Sequence, residues 1–433
     1  MKGENSPRFA EVFSERGTMA DFDIKSAALG VEYDPLGRFW NSKWNLKEEV
    51  LAQYDLPQTV SITDSTIREG EEAPHVVYSM EDKLRIARLL DAMNVHEIDC
   101  GFASINTGHL EFLKELDGEN LKIKKSAIAR IDLPDFKKGI DRIIEAGADV
   151  LLCALYPTPI PGYDWSDYCQ RVRDGVSHAK KGGVFTSFWI TCTRWEEEYA
   201  LDMYRAAIDG GADRVKTAGG GVLTVPAYKR MVRLVREIAG DVEVGIHAHN
   251  NYGTGTACTL AGVEAGASNV ETSVNGLADG AGLTSFEEVV MALTVMYGLD
   301  LGIKIERIME LSRLVQEVSG VEVHPHKPLV GKSVFLETPD THIEGILRAR
   351  IQKRKTKGFI EPETIGQKTS LLFGPSALGG KSIELKGQEM GINLSEEQVD
   401  AAIGRMREKL NAVDSLTEDE VEDIILRVTE KSR

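Results

Sequence analysis

His247 and His249 stand one residue apart in GIHAHNNYG (Gly245–Gly253) and account for two of the nine histidines in this 433-residue chain. The run ahead of them, Asp241–Ile246, alternates and is rich in β-branched residues, which predicts a strand leading into the motif. Residues i and i+2 of a strand share a face, so both imidazoles should project side by side from its C-terminal end. Two such rings supply half of a metal site; the plainer alternative is a pair of hydrogen-bonded side chains at a strand end. A further donor comes from SITDSTIREGEEAP (Ser61–Pro74), where Arg68 and Glu69 follow another apolar run. Taken alone, Arg68–Glu69 reads equally well as a surface ion pair. Joined to the histidines, Glu69 completes a two-His, one-carboxylate set that leaves coordination positions open. An open position lets a divalent metal (Zn, Mn, Co or Mg) polarise a substrate carbonyl. Arg68 adds a permanent positive charge for an oxygen that becomes anionic. The set suits carbon–carbon bond chemistry on a 2-oxo acid. His75, in the loop beyond Arg68, is a further candidate for the substrate side of the same cup.

These groups must be delivered by repeated strands. EAGADVLL from Glu145, DGGADRVK from Asp209 and EAGASNVE from Glu264 each join the end of an amphipathic helix, through a glycine stop, to a short apolar strand. Their spacing is close to two βα units of about 30 residues. Strands are predicted near 59–64, 97–102, 123–129, 149–154, 184–190, 213–217, 242–247 and 269–274, with helix-period segments between them. Eight such units predict a (β/α)8 TIM barrel, with catalytic groups at the C-terminal ends of its strands. Asp99 falls at such an end. The barrel is expected over 56–300, after an N-terminal extension (1–55) with the aromatic stretch FWNSKW. IERIMELSRLVQEVSG (305–320) reads as a helix within a linker over 301–332, broken by HPHKP. Residues 333–433 read as a small α+β C-terminal domain, with the basic run Arg348–Lys357 and helices opened by Ser395-x-x-Gln398 and Thr417-x-x-Glu420 capping boxes.

Composition narrows the function. A formal charge of -17 opposes nucleic acid and anionic membranes as partners. Five cysteines without CxxC spacing suggest reduced thiols and a cytoplasmic setting. The charged start MKGENSPRFAEVFSERG has no apolar core, so secretion and membrane insertion are not expected.

DSTIREGEEAP, SMEDKLRIARLLDAMNVHEIDCGFAS and HAHNNYGTGTACTLAGVEAGASNVETSVNGLADGAG resemble the DRE-TIM metallolyases. The order of features is similar to that of the 2-isopropylmalate and homocitrate synthases. KPLVGKSVFLETPDTHIEGIL and IEPETIGQKTSLLFGPSALGG are similar to what those synthases carry after their barrel. The resemblance implies condensation of an acyl-CoA, acetyl-CoA foremost, with a 2-oxo acid, giving a 2-hydroxy dicarboxylate and free CoA. It implies Arg68 as catalytic arginine and Glu69, His247 and His249 as metal ligands. Asp64 then orders the loop, with Ser65 and Thr66 structural. His342 matches a histidine that the second domain brings to the active site, often across a homodimer interface. His342 and Asp99 are the side chains left as general-base candidates. The chain also departs from the synthase pattern. Phe188–Arg194 carries no carboxylate where relatives have a Glu-Asp pair, Leu283 replaces an amide, and HAHNN replaces HxHND. VKTAGGG replaces a DTVG-like phrase, with Thr217 the substitute substrate-binding hydroxyl and Gly219–Gly221 a place for a larger or phosphate-like group. These departures keep open a lyase, aldolase or carboxyltransferase-like reaction on a related acid, or a metal-bound protein without catalysis.

Overall fold

The computed structural model describes residues 31–430 apart from 35–36, 157–159, 161 and 354–358. The expectations for residues 1–30 and for the end of the basic run therefore lie outside the described residues. The chain separates into two compact units, one spanning Lys43–Val323 and the other joining the described residues up to Ser42 with those from His324 onward.

In chain order the second unit begins with a hairpin, β1 (Val31–Tyr33) and β2 (Trp40–Ser42), paired antiparallel. The first unit then opens with α1 (Glu48–Leu51). Its strands are β3 (Ser61–Asp64), β4 (Glu97–Asp99), β5 (Lys124–Arg130), β6 (Val150–Leu155), β7 (Phe185–Thr191), β8 (Arg214–Gly220), β9 (Glu243–Ala248) and β10 (Asn269–Thr272). They pair in parallel, in sequence order, and β10 closes on β3. The result is a TIM barrel. Helices α2 (Thr66–Glu72) and α3 (Met80–Ala92) follow β3; α4 (Thr107–Gly118), α5 (Phe136–Glu145) and α6 (Trp165–Lys181) follow the next three strands. After β7 to β10 come α7 (Glu197–Asp209), α8 (Val225–Ala239), α9 (Gly255–Val263) and α10 (Phe286–Val295). The glycine stops are explained by backbone conformation: Gly147, Gly211 and Gly266 adopt φ of 88°, 92° and 95°, which a side chain would oppose.

Strand alternation sorts the barrel into a packed exterior and a chemically mixed interior. The register places Lys216 beside Trp189 and Gly245, and His247 beside Ala218, on the inner face. Asn269 and Glu271 continue that face on β10, opposite Ser61 and Thr63. Helix α11 (Ile308–Ser319) ends at Gly320 in a left-handed conformation and packs against α3, so the segment expected in a linker is part of the barrel unit. Its periodic apolar face already implied something to pack on.

The second unit also contains β11 (Leu336–Glu337), α12 (Asp340–Ile351), β12 (Ser370–Phe373), α13 (Gly380–Glu389), α14 (Glu396–Leu410), β13 (Leu416–Thr417) and α15 (Glu418–Glu430). Strand β12 pairs parallel with β11 and antiparallel with β13. Both capping boxes form: Ser395 with Gln398, and Thr417 with Glu420. Ile343, Leu347, Phe373, Met406 and Ile425 share one buried core. Phe39 bridges to Ile360, so the hairpin belongs to this unit rather than to a separate extension. Among the described residues all five cysteines are buried and unpaired, and no helix is long and apolar enough to cross a membrane.

Candidate metal centre and active site

Helix α2 starts immediately beyond β3, and its first turn is fixed by a local hydrogen-bond lock. Asp64 accepts from the Thr66 backbone N–H and from Thr66 Oγ1, both at 3.0 Å, while Thr66 Oγ1 accepts from Val274 N at 2.8 Å. Burial pushes the Asp64 carboxyl up to about 7 against the pull of the two Thr66 bonds. The lock points Arg68 and Glu69 inward, where both are buried.

His247 lies on β9, and His249 follows its last residue, held by a backbone bridge to Leu283. The ring centroids are 4.9 Å apart. One donor atom from each of Glu69, His247 and His249 falls within 4.8 Å of the others. Three observations show that this set fits a divalent cation. Glu69 Oε2 is buried with no hydrogen-bond partner, a state that is costly for a carboxylate oxygen without a cation. Burial and the adjacent His247 lower the His249 ring to about 4, so its lone pair is free near neutral pH. The donors are imidazole and carboxylate, a mixture suited to several divalent ions. Burial raises the Glu69 carboxyl to about 7, with Arg68 and His247 pulling it down. Asp279 lies 3.2 Å from His249 Nδ1 and forms a second acidic group with Glu69 and Glu72.

Behind the ligands runs a web of buried charges. Arg68 Nε donates to Asp99 Oδ2 and its Nη2 to Glu271 Oε1, each at 2.8 Å; Nη1 donates to Glu69. Glu271 Oε1 also accepts from Ser65 Oγ at 2.5 Å and lies 3.2 Å from His247 Nδ1, while Oε2 accepts from Lys216 Nζ at 2.8 Å. Burial alone would raise the Glu271 carboxyl, but Lys216, His247 and Arg68 hold it well below the usual carboxylate range. The same carboxylate keeps His247 above the ordinary histidine value despite burial. Glu271 thus sets one negative charge against Arg68 and His247 together, hydrogen-bonded to the arginine, while His247 Nδ1 lies beside it without hydrogen-bond geometry.

The remaining sequence candidates separate. Asp99 is in the web, but Oδ1 accepts from Gly101 N at 2.8 Å and Oδ2 from Arg68, so it anchors the arginine and is not a free base. His75 is exposed in the loop after α2, at a φ of 68°. Thr217 alternates with the inward Lys216 and therefore faces outward, towards Tyr228 of α8. His342 belongs to the second unit, where it is exposed and its Nδ1 lies 2.8 Å from Glu337. At Gly219–Gly221 the space a side chain would take is occupied by neighbouring chain. A Cβ on Gly219 would meet Thr193 at 2.6 Å, one on Gly220 would meet Ala248 at 2.2 Å, and one on Gly221 would meet the His249 carbonyl oxygen at 2.3 Å. Gly220 and Gly221 let the end of β8 pass close to the end of β9 at a register shift, and Gly219 packs against Thr193 after β7. Asn250 Oδ1 accepts from Gly255 N, the first residue of α9, at 2.9 Å.

Sequence reading did not single out Glu271, Lys216 or Asp279. For Glu271 a signal existed: in Asn269-Val-Glu271 the polar residues alternate with an apolar one, and the polar face of a barrel strand next to a metal cup points into the cup.

A family model described as HMGL-like matches residues 59–315. That span contains the barrel strands, Arg68, Glu69, His247 and His249. A probable 2-isopropylmalate synthase of Methanopyrus kandleri is 36% identical over 362 residues, covering 82% of this chain and 70% of the relative. Homocitrate synthase AksA of the same organism is 31% identical over 389 residues, covering 88% of this chain and 96% of the relative. The solved structure of hydroxymethylglutaryl-CoA lyase from Pseudomonas aeruginosa superimposes with a TM-score of 0.54 at 18% identity, over 64% of this chain and 98% of that one, a likeness of fold. Barrel, donor set and sequence similarity agree, and the chain belongs to the HMGL-like family.

Proposed function

We propose that this protein is a metal-dependent acyltransferase that condenses an acyl-CoA, acetyl-CoA foremost, with a 2-oxo acid. The acyl α-carbon loses a proton and bonds to the carbonyl carbon of the oxo acid. Water then cleaves the thioester, giving a 2-hydroxy dicarboxylate and free CoA. The carrying observation is the convergence of Glu69, His247 and His249 within one cup that also holds Arg68. A divalent cation bound by those three residues would supply Lewis-acid polarisation of substrate oxygens. Arg68 is fixed in plane by three carboxylates, and a guanidinium with five N–H donors retains capacity for a substrate oxygen that gains charge. Relatives named as 2-isopropylmalate and homocitrate synthases match through the barrel and into the second unit, which supports a synthase rather than a lyase.

The test is thiol release from acetyl-CoA by metal-reconstituted protein across a panel of 2-oxo acids, with Arg68→Ala as control. Release that requires both an oxo acid and Arg68 supports the reading. Silence across the panel with metal bound would sink it, and cleavage of a 3-hydroxyacyl thioester would then be assayed.

A further inference from the structure

Condensation needs a group that takes the α-proton of the acyl thioester, and most acids that the barrel brings towards the metal cup are already engaged. Phe188–Arg194, at the end of β7, contains no carboxylate. Asp64 is held by Thr66, Asp99 by Arg68 and Gly101, and Glu271 by Arg68, Ser65 and Lys216. Glu71 accepts from Lys83 Nζ at 2.7 Å and from Tyr78 N at 3.3 Å. His75 is exposed and joins neither set of converging donor atoms. Glu72 and Asp279 differ from all of these. Their oxygens converge with one of Glu69 within 4.8 Å, and their side chains are 43% and 56% exposed. The two face different partners. Asp279 Oδ1 lies 3.2 Å from His249 Nδ1, a ring of the candidate metal set. Glu72, the last residue of α2, faces Arg68 four residues earlier on the same side of the helix, with Oε1 3.6 Å from Nη1.

We propose that Glu72 is the general base that removes the α-proton of the acyl-CoA. This rests on the condensing reading above and supplies the catalytic residue it lacks. In an acyl thioester the α-carbon and the carbonyl oxygen are bonded to the same carbon, so the base must lie beside the group that steadies the oxygen as charge moves onto it. Arg68 and Glu72 are such neighbours. Their 3.6 Å separation is too long for a hydrogen bond, so the lone pairs of Glu72 stay available to a substrate proton. Protonating Glu271 or Asp99 would instead leave the buried charge of Arg68 less compensated, a cost that the exposed Glu72 avoids. Glu72 takes the α-proton, and the electron pair of that C–H bond forms the new bond to the carbonyl carbon of the oxo acid. The carbonyl π pair moves onto its oxygen, which accepts the proton from Glu72 and becomes the 2-hydroxyl. The carboxylate is regenerated. Water then adds its oxygen to the acyl carbon as the C–S bond breaks, and the sulfur leaves with a proton as free thiol.

The test measures thiol release from acetyl-CoA and from methyl-deuterated acetyl-CoA by metal-loaded protein with a panel of 2-oxo acids, and in parallel follows exchange of the acetyl methyl hydrogens with deuterated water by mass spectrometry. Glu72→Gln should lower kcat roughly 10²- to 10⁴-fold, with KM and metal content little changed, and should enlarge the deuterium effect because proton removal becomes the slow step. Glu72→Ala should lose as much and recover in part with added formate, a small carboxylate that fits the vacated space; a merely structural role gives no such rescue. His342→Gln and Asp279→Asn should keep the wild-type deuterium effect. Near wild-type kcat in Glu72→Gln, no rescue by formate, or an enlarged deuterium effect in His342→Gln or Asp279→Asn instead would overturn the assignment and leave the condensing reading intact. If no acid releases thiol, the exchange decides. Methyl exchange lost in Glu72→Gln upholds the base while the condensing reading falls, and absence of Glu72-dependent exchange removes both.

Discussion

Arg68 Nη2 and Glu271 Oε1 meet at 2.8 Å across the seam where the last barrel strand closes on the first. The same Glu271 oxygen lies 3.2 Å from His247 Nδ1, so one carboxylate at the barrel's closing seam faces both the arginine and a histidine of the candidate metal set. Glu271→Gln keeps the shape and removes the charge. We expect metal affinity to fall roughly 10- to 100-fold, the range seen when the support of a ligating histidine is lost. Competition with a chromophoric chelator measures it, and unchanged affinity would refute the role assigned to Glu271.

Lys216 is the cation on the other oxygen of that carboxylate, at 2.8 Å. Lys216→Met removes one of the two cations on a buried carboxylate, leaves Glu271 Oε2 without its partner, and is expected to cost up to about 3–5 kcal/mol in denaturant unfolding. Combining it with Glu271→Gln should cost clearly less than the sum of the two single changes, because the double variant removes both charges together. Strict additivity would show that the pair is not coupled.

The donor set should be countable. Glu69→Gln, His247→Ala and His249→Ala, each dialysed against Zn or Mn and desalted, are expected to retain far less metal than the wild type by elemental analysis. His324→Ala should retain the wild-type amount, since His324 and His326 form an exposed turn in the second unit. Full occupancy in His249→Ala would displace that residue from the set.

Gly221 tests how the centre is packed. Its φ is 83°, and an added Cβ would stand 2.3 Å from the His249 carbonyl oxygen. Gly221→Ala should therefore weaken metal binding without altering a ligand, by shifting His249, and should also destabilise the fold by roughly 1–2 kcal/mol from the left-handed backbone alone. Unaltered metal affinity would mean that the strand pair yields elsewhere.

Asp64 gives stability a pH dependence whose sign follows from its environment. Its carboxyl is raised from 3.8 to about 7, so the native state holds a proton there that the unfolded chain releases between about pH 4 and 7. The stability of the protonated group is fully present below that window and is lost as pH rises through it, by at most about 4 kcal/mol. Asp64→Asn removes the term. The stability of the wild type relative to Asp64→Asn should fall from pH 4 to pH 7 in urea titrations on chelated protein; a flat difference would contradict this.

The legible parts of the fold and of the site were those written in local sequence. Gly147, Gly211 and Gly266 mark helix-to-strand joints because only a residue without Cβ adopts their backbone angles readily, and from those joints the eight strands could be placed within a few residues. The pair His247 and His249 was legible because strand alternation is a fixed geometric rule. Glu271 was not singled out, since its partners Arg68, on α2, and Lys216, on β8, are remote from it in sequence and no local pattern records them. Thr217 was assigned by similarity of motif position, although the inward face of β8 belongs to Lys216. The three glycines after it looked like space, and only the approach of Thr193 and of the chain at Ala248–His249 shows what they pack against. The association of β1 and β2 with residues more than 280 positions later was likewise invisible to periodicity.

That last pairing has a temporal side. The barrel unit is one uninterrupted stretch, Lys43–Val323, whereas the hairpin strand ending at Ser42 belongs with chain that starts at His324. On a ribosome adding 5–20 residues per second, the hairpin waits roughly 15–60 s for its companions. The barrel, complete in its own sequence, can finish folding during that wait. Synthesis therefore gives this protein an order of assembly: the chemistry-bearing unit first, and the split unit only when the last of its helices has emerged.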